Sequence, residues 1–126
     1  PGWYYLGLRL VFFYGGNFDK SSKYAKLVND PLALDYAYLA AAQAMVNNLS
    51  AAKAASAKVA RIDPNWTVEK YLSDNGGMPD NIGQIFTDGA AKAGVPPCIP
   101  DEKLSTGPEI IRAKWCDERR ARRTTN

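Results

Sequence analysis

The sequence predicts an all-α fold: two helical hairpins in tandem, closed by a capping helix. Three observations predict it. An aromatic–x–x–Leu–small phrase occurs twice, beginning at Trp3 and again at Tyr36, and an Asp-Pro follows each copy at the same interval, with its proline at Pro31 and at Pro64. The stretch Leu49 to Ile62 is built largely of Ala, Lys and Ser, side chains small enough for close helix packing. Finally, Ile82, Ile85, Phe86, Ala90 and Ala93 fall at the spacing of one buried helical stripe. The chain divides accordingly into hairpins over 1–66, a cap over 67–97 and an irregular, disordered tail over 98–126.

The elements follow in order. From Trp3 the chain reads W-Y-Y-L-G-L-R-L, which places Trp3, Leu6 and Gly7 on the packing side of a helix over 3–14. Gly15-Gly16-Asn17 is a tight turn, because Gly and Asn tolerate the left-handed conformation. A second helix over 18–28 packs through Ser21, Ala25 and Val28. Asp30-Pro31 stops it, since proline lacks an N–H and clashes with the preceding turn. The second copy starts at Tyr36, with Leu39 and Ala40 in the matching places, on a helix over 33–46. After Asn47-Asn48 comes the alanine-rich helix over 49–62, with Ala52 and Val59 as packing positions and Ala51, Ala54, Ala55 and Ala57 as added contact surface, ended by Asp63-Pro64. Gly7 and Ala40 are expected where the two helices of each hairpin cross. The first unit is read as one residue longer in its turn and one shorter before its proline.

A repeat of this length with this phrase resembles the tetratricopeptide family. The resemblance implies stacked antiparallel hairpins, an α-solenoid fragment, with a groove lined by the first helix of each pair. The groove candidates are Tyr4, Phe12, Ala37, Ala41 and Met45. They are not the Lys/Asn set that grips a peptide carboxylate, so an apolar or helical partner is expected. A generic pair of helical hairpins is the competing reading.

Beyond Pro64, Trp66 and Thr67 precede a short helix over 67–73 that carries Tyr71 and Leu72, with Thr67 as its cap. Gly76-Gly77 and Pro79 form a loop. Asp80 is expected to cap the helix over 80–93, whose stripe includes Ile82, Ile85 and Phe86, and Gly94 with Pro96-Pro97 ends it. Such a helix covers the apolar edge that a last repeat leaves open. Two phrases then carry a longer resemblance: Asp63, Pro64, Trp66, Thr67, Val68, Glu69, Tyr71 and Leu72, and later Phe86, Gly89, Lys92, Ala93, Gly94, Val95 and Pro96. Together they resemble the C-terminal tetratricopeptide region of bacterial class III adenylate cyclase-like proteins. The resemblance implies a non-catalytic interaction or regulatory module of a cytoplasmic signalling protein, without its cyclase domain. Its partner would be a protein, a peptide or an upstream domain of its own chain. The alternative it leaves is the sensor region of a winged-helix transcriptional regulator.

Composition excludes much else. The 126 residues include no His, which removes imidazole bases and His metal ligands. No catalytic residue, cofactor, metal or small-molecule substrate is expected. Asp74, Asp80, Asp88 and Asp101 read as surface charges, and the paired glycines as turns and not phosphate loops. A net charge of +3 is too small to argue for nucleic acid. Arg119, Arg120, Arg122 and Arg123 can grip phosphates, but Asp117 and Glu118 offset them and a solvated tail is favoured. No apolar run approaches the roughly 20 residues of a membrane span. The opening Pro1-Gly2-Trp3, without Met or a basic leader, reads as a piece of a longer chain. Cys98 and Cys116 can pair, but a reducing cytoplasm favours free thiols. The sequons at Asn48 and Asn65 are then chance matches.

Overall fold

The computed structural model describes the backbone of residues 2–104 and 109–124, and the side chains of residues 4–104 and 109–123. These form helices and no strand: α1 (Gly2–Tyr14), α2 (Phe18–Ala25), α3 (Ala33–Met45), α4 (Leu49–Ile62), α5 (Val68–Asp74), α6 (Asp80–Ala93), the single turn α7 (Asp101–Leu104) and α8 (Lys114–Thr124). Among the described residues, no helix is long and apolar enough to cross a membrane. The Trp3 side chain, expected in the packing of α1, lies outside the described residues.

The turn chemistry works as the residue types demand. Gly16 has φ +84° and Asn47 φ +62°, each reversing the chain between two antiparallel helices. Asn17 then caps α2 by accepting the Lys20 N–H at 3.2 Å. α2 ends three residues earlier than expected. Its last turn tightens, with Leu27 N–H bonding the Tyr24 carbonyl and Val28 N–H the Ala25 carbonyl, and Asp30 turns left-handed (φ +49°) ahead of Pro31. Thr67 caps α5 by accepting the Lys70 N–H at 3.1 Å. Pro79, not Asp80, holds the N-cap of α6, with Asp80 one residue inside the first turn, and Gly94 (φ +95°) ends the helix.

α1 pairs with α2 and α3 with α4; α2 packs on α3, and α6 lies along α3. α3 is therefore the central helix, with Ala37, Ala40, Ala41, Ala42 and Ala44 fully buried. Alanine suits a helix that is covered on most sides, because it lets neighbouring backbones approach. The closest approach is at Gly89 of α6. A Cβ there would sit 2.9 Å from the Ala41 Cβ and 3.1 Å from the Ala41 carbonyl oxygen.

The two hairpins align in a register different from that of the phrase. Phe18 and Leu49 begin the second helices, Gly16 and Asn47 make the left-handed turns, and the two turns are equal in length. In that register Trp3 falls with Leu34 and not with Tyr36. Burial agrees with it at some positions and not at others: Arg9 and Phe13 are buried as are Ala40 and Ala44, and Ser21 as is Ala52, but Val11 is exposed where Ala42 is buried and Ser22 buried where Lys53 is exposed. The recurrence of the phrase therefore does not superpose equivalent faces. Gly7 is exposed with open space around it, whereas Ala40 is fully buried, so Gly7 is not a crossing residue. The alanines of α4 also divide. Ala52 and Ala55 are buried, while Ala54 and Ala57 are exposed and contribute helix propensity alone.

The tail is not the irregular segment expected over 98–126. Its described residues include α7 and α8, and Cys98 is disulfide-bonded to Cys116 with 5.6 Å between their Cα atoms. This corrects the expectation of free thiols. Distance along the chain gave no hint of it, because α8 folds back onto the loop that follows α6.

Candidate functional site

Two polar centres lie within the helical stack. The first joins α1 and α3 and stacks on α6. Arg9 is 2% exposed in the middle of the apolar helix α1, and it forms a buried ion pair with Asp35. Its guanidinium also lies 4.9 Å from the centroid of the Tyr38 ring. Asp35 accepts the Leu32 N–H at 2.7 Å, so one carboxylate serves both the N-terminus of α3 and the charge in α1. Tyr38 is stacked on Phe86 at 4.0 Å and shares a 2.6 Å hydroxyl–hydroxyl hydrogen bond with Tyr14. Burial, with the Tyr14 hydroxyl alongside, pushes the Tyr38 phenol far above its ordinary pKa. Burial also raises Tyr14 and Tyr71, opposed at Tyr14 mainly by its bond to Tyr38 and at Tyr71 by Arg9. Raised pKa values keep these phenols protonated at neutral pH, and the Tyr14 and Tyr38 hydroxyls bond one another.

The groove expected from the first helices is split. Ala37 and Ala41 are fully buried, under the neighbouring helices, and form no open groove. Tyr4 is 51% exposed, edge-on to Tyr5; Phe12 is stacked on Tyr24 at 5.6 Å; Met45 is half-buried at the end of α3. Of the expected packing positions, Ser21, Ala25, Ala40, Ala52 and Val59 are buried. Leu6, Val28, Pro31, Tyr36 and Leu39 are half-buried, and Gly7 and Pro64 exposed. In the cap, Leu72 and Phe86 are buried, and Trp66, Tyr71, Ile82 and Ile85 half-buried.

The second centre is Glu69, whose residue is 0% exposed in the first turn of α5. Its carboxylate accepts the backbone N–H of Ile99 and of Ala113, each at 2.9 Å, and forms an ion pair with Arg120. All of these partners come from the segment after Pro97. The loop leading into that segment bonds the α5 backbone in turn: the Pro96 and Pro97 carbonyls accept the N–H groups of Val68 and Glu69. Burial disfavours the Arg120 charge, but Glu69 and Asp117 more than offset this and raise its pKa. Two clefts flank the C-terminal segment. One, of about 130 Å³, lies between Leu72, Gly83 and Thr87 on one side and Ile111, Arg112 and Trp115 on the other. The second, of about 170 Å³, is lined by Thr67, Lys70, Ile99, Pro100, Lys103 and Ile110.

Sequence reasoning missed Arg9, Asp35 and Tyr38. The signal was present: a lone Arg inside "YYLGLRLVFFY" has to find a buried partner or leave the core. Glu69 and Arg120 were seen only within a phrase and a basic cluster. Much of the cluster's charge is matched internally, with Arg120 on Glu69, Arg123 on Asp101 at 3.2 Å and the Arg119 guanidinium 5.3 Å from the Trp115 ring centroid. Asp74 pairs with Lys70, and Asp88 accepts from Gln84. Among the described residues, no three His, Cys, Asp or Glu side chains converge as a metal-ligand set. No family model matches the chain, and no curated protein or solved structure is significantly similar to it.

Proposed function

We propose that this chain is a non-catalytic interaction module of tetratricopeptide type, the C-terminal part of a bacterial adenylate cyclase-like signalling protein in the cytoplasm, and that it docks on an upstream domain of its own chain. The observation that carries the reading is the pair of consecutive antiparallel hairpins, equal in turn length and alike in turn geometry, followed by α5 and by α6, which lies along α3. Stacked hairpins present an extended surface suited to binding another protein. The chain's most buried charge pairs, Arg9–Asp35 and Glu69–Arg120, are engaged in holding helices together. The residues Thr67-Val68-Glu69 and Lys92-Ala93-Gly94-Val95-Pro96, on which the resemblance rests, sit at the start of α5 and the end of α6, where the two meet through the Val68–Pro96 hydrogen bond.

The test has three arms. Sequencing the gene upstream of Pro1 should reveal a cyclase domain, and calorimetric titration of that domain with residues 1–126 should give saturable binding. A different upstream domain would overturn the cyclase assignment, and absence of binding would overturn the docking partner. Purified residues 1–126, supplied with ATP and magnesium or manganese, should form no cyclic AMP above buffer; turnover would overturn the module reading.

A further inference from the structure

We propose that the Cys98–Cys116 disulfide is a reversible redox latch that holds a C-terminal strap, residues 109–124, across the α5–α6 face. The strap is held by two buried anchors, Cys116 and the Arg120–Glu69 ion pair, and by exposed bonds to Ser73 and Asp101. Among the described side chains of α8, Cys116 alone is fully buried, with Trp115 and Arg120 half-buried and the rest exposed. An 11-residue helix is marginal in water without tertiary support. The disulfide is therefore the one covalent tie among the two buried contacts of α8, the other being the Arg120–Glu69 ion pair. The main hydrophobic cluster, by contrast, draws its described residues from α1 to α6, their connecting loops and Val95, and the buried Ile99 and Cys116 lie outside it. The stack can keep its core while the strap leaves.

Release has a defined surface consequence. The segment Ile111 to Trp115 forms one wall of the cleft whose other wall is Leu72, Gly83 and Thr87 of α5 and α6. Lifting it uncovers that wall and returns the Glu69 carboxylate to water, with loss of the Ala113 and Arg120 contacts. A hydrated carboxylate needs no protein partner, so the open state carries no unsatisfied buried charge.

The chemistry balances with a dithiol as the reductant. Its thiolate attacks Sγ of Cys98, the more accessible of the two cysteines, and Cys116 departs as a thiolate that takes up a proton. The second thiol of the reductant then resolves the mixed disulfide, releasing Cys98 and closing the reductant's own disulfide. Two electrons and two protons pass to the protein. Where thiols are kept reduced, such bonds are transient and redox-sensing. Release of the strap rests on its own contacts, whereas its use as a redox switch rests on the cytoplasmic setting proposed above.

Hydrogen exchange on the full chain tests it. With dithiothreitol, amide protection over residues 114–124 should fall by at least about tenfold while α3 and α6 keep theirs. Re-oxidation with oxidised glutathione should restore it. The Cys98→Ser/Cys116→Ser chain should show the unprotected pattern with or without reductant. Unchanged protection of α8 on reduction would overturn the proposal, as would a loss spread over α1 to α6, which marks a structural staple. Failure to re-protect on re-oxidation would overturn reversibility.

Discussion

At Gly89 and Gly83 the same residue type, on the same helix, has opposite reasons to be there. A Cβ at Gly89 meets Ala41 backbone atoms at 3.1 and 3.2 Å, which cannot swing aside. At Gly83 it meets only the end of the Leu72 side chain, at 3.5 Å. Gly89→Ala should therefore destabilise the protein by about 1–3 kcal/mol, whereas Gly83→Ala should stabilise it by up to about 1 kcal/mol through helix propensity. Urea melts of the two variants check the contrast. Tyr38 makes a pH prediction. Its folded pKa lies above the unfolded value, so its hydroxyl contributes stability that is fully present below about pH 10 and is lost as pH rises and the unfolded chain ionises. Stability should fall above about pH 10 with a slope of up to about 1.4 kcal/mol per pH unit from this residue, and Tyr38→Phe should lose that component of the slope. Both positions were illegible beforehand. Which glycine meets a backbone, and which tyrosine lacks water, depends on how α6 lies along α3.

Helices were the most legible level. The spans expected from caps, glycines and prolines match α1 to α6 to within a residue or so, except at the end of α2. These signals act locally: Thr67 needs only the N–H of Lys70, and Gly94 only its own freedom at φ +95°. Thr67→Ala should accordingly cost about 1 kcal/mol, with Thr67→Ser retaining most of the cap. Thermal unfolding of the two variants distinguishes a lost cap from lost packing, because Thr67 is itself buried and serine keeps the hydroxyl but not the methyl group. α8 escaped for the opposite reason. Its sequence, KWCDERRARRT, has no apolar stripe, and what orders it lies far back along the chain, at Cys98 and Glu69. Contacts of that range leave no periodic trace.

For the whole molecule, the sequence reading recovered the class and the hairpin order but missed the register. The phrases at Trp3 and Tyr36 resemble one another yet occupy different environments, while the structurally equivalent positions share little identity: Arg9 stands where Ala40 does, and Tyr4 where Asp35 does. That dissimilarity gives the stack a direction. The ion pair between Arg9 and Asp35 forms only when the first hairpin precedes the second. A duplicated second hairpin would set Ala40 against a new Asp35 with no arginine to meet it. A duplicated first hairpin would set Arg9 against Tyr4. Inserting a copy of residues 32–62 after Ile62 should therefore cost about 3–5 kcal/mol through one unmatched buried charge, and Ala40→Arg in the upstream copy should recover much of it; denaturant melts of the two extended chains check this. A copied hairpin would thus carry a cost set by a single charge, because the Arg9–Asp35 pair joins two unlike helices and has no counterpart between like ones.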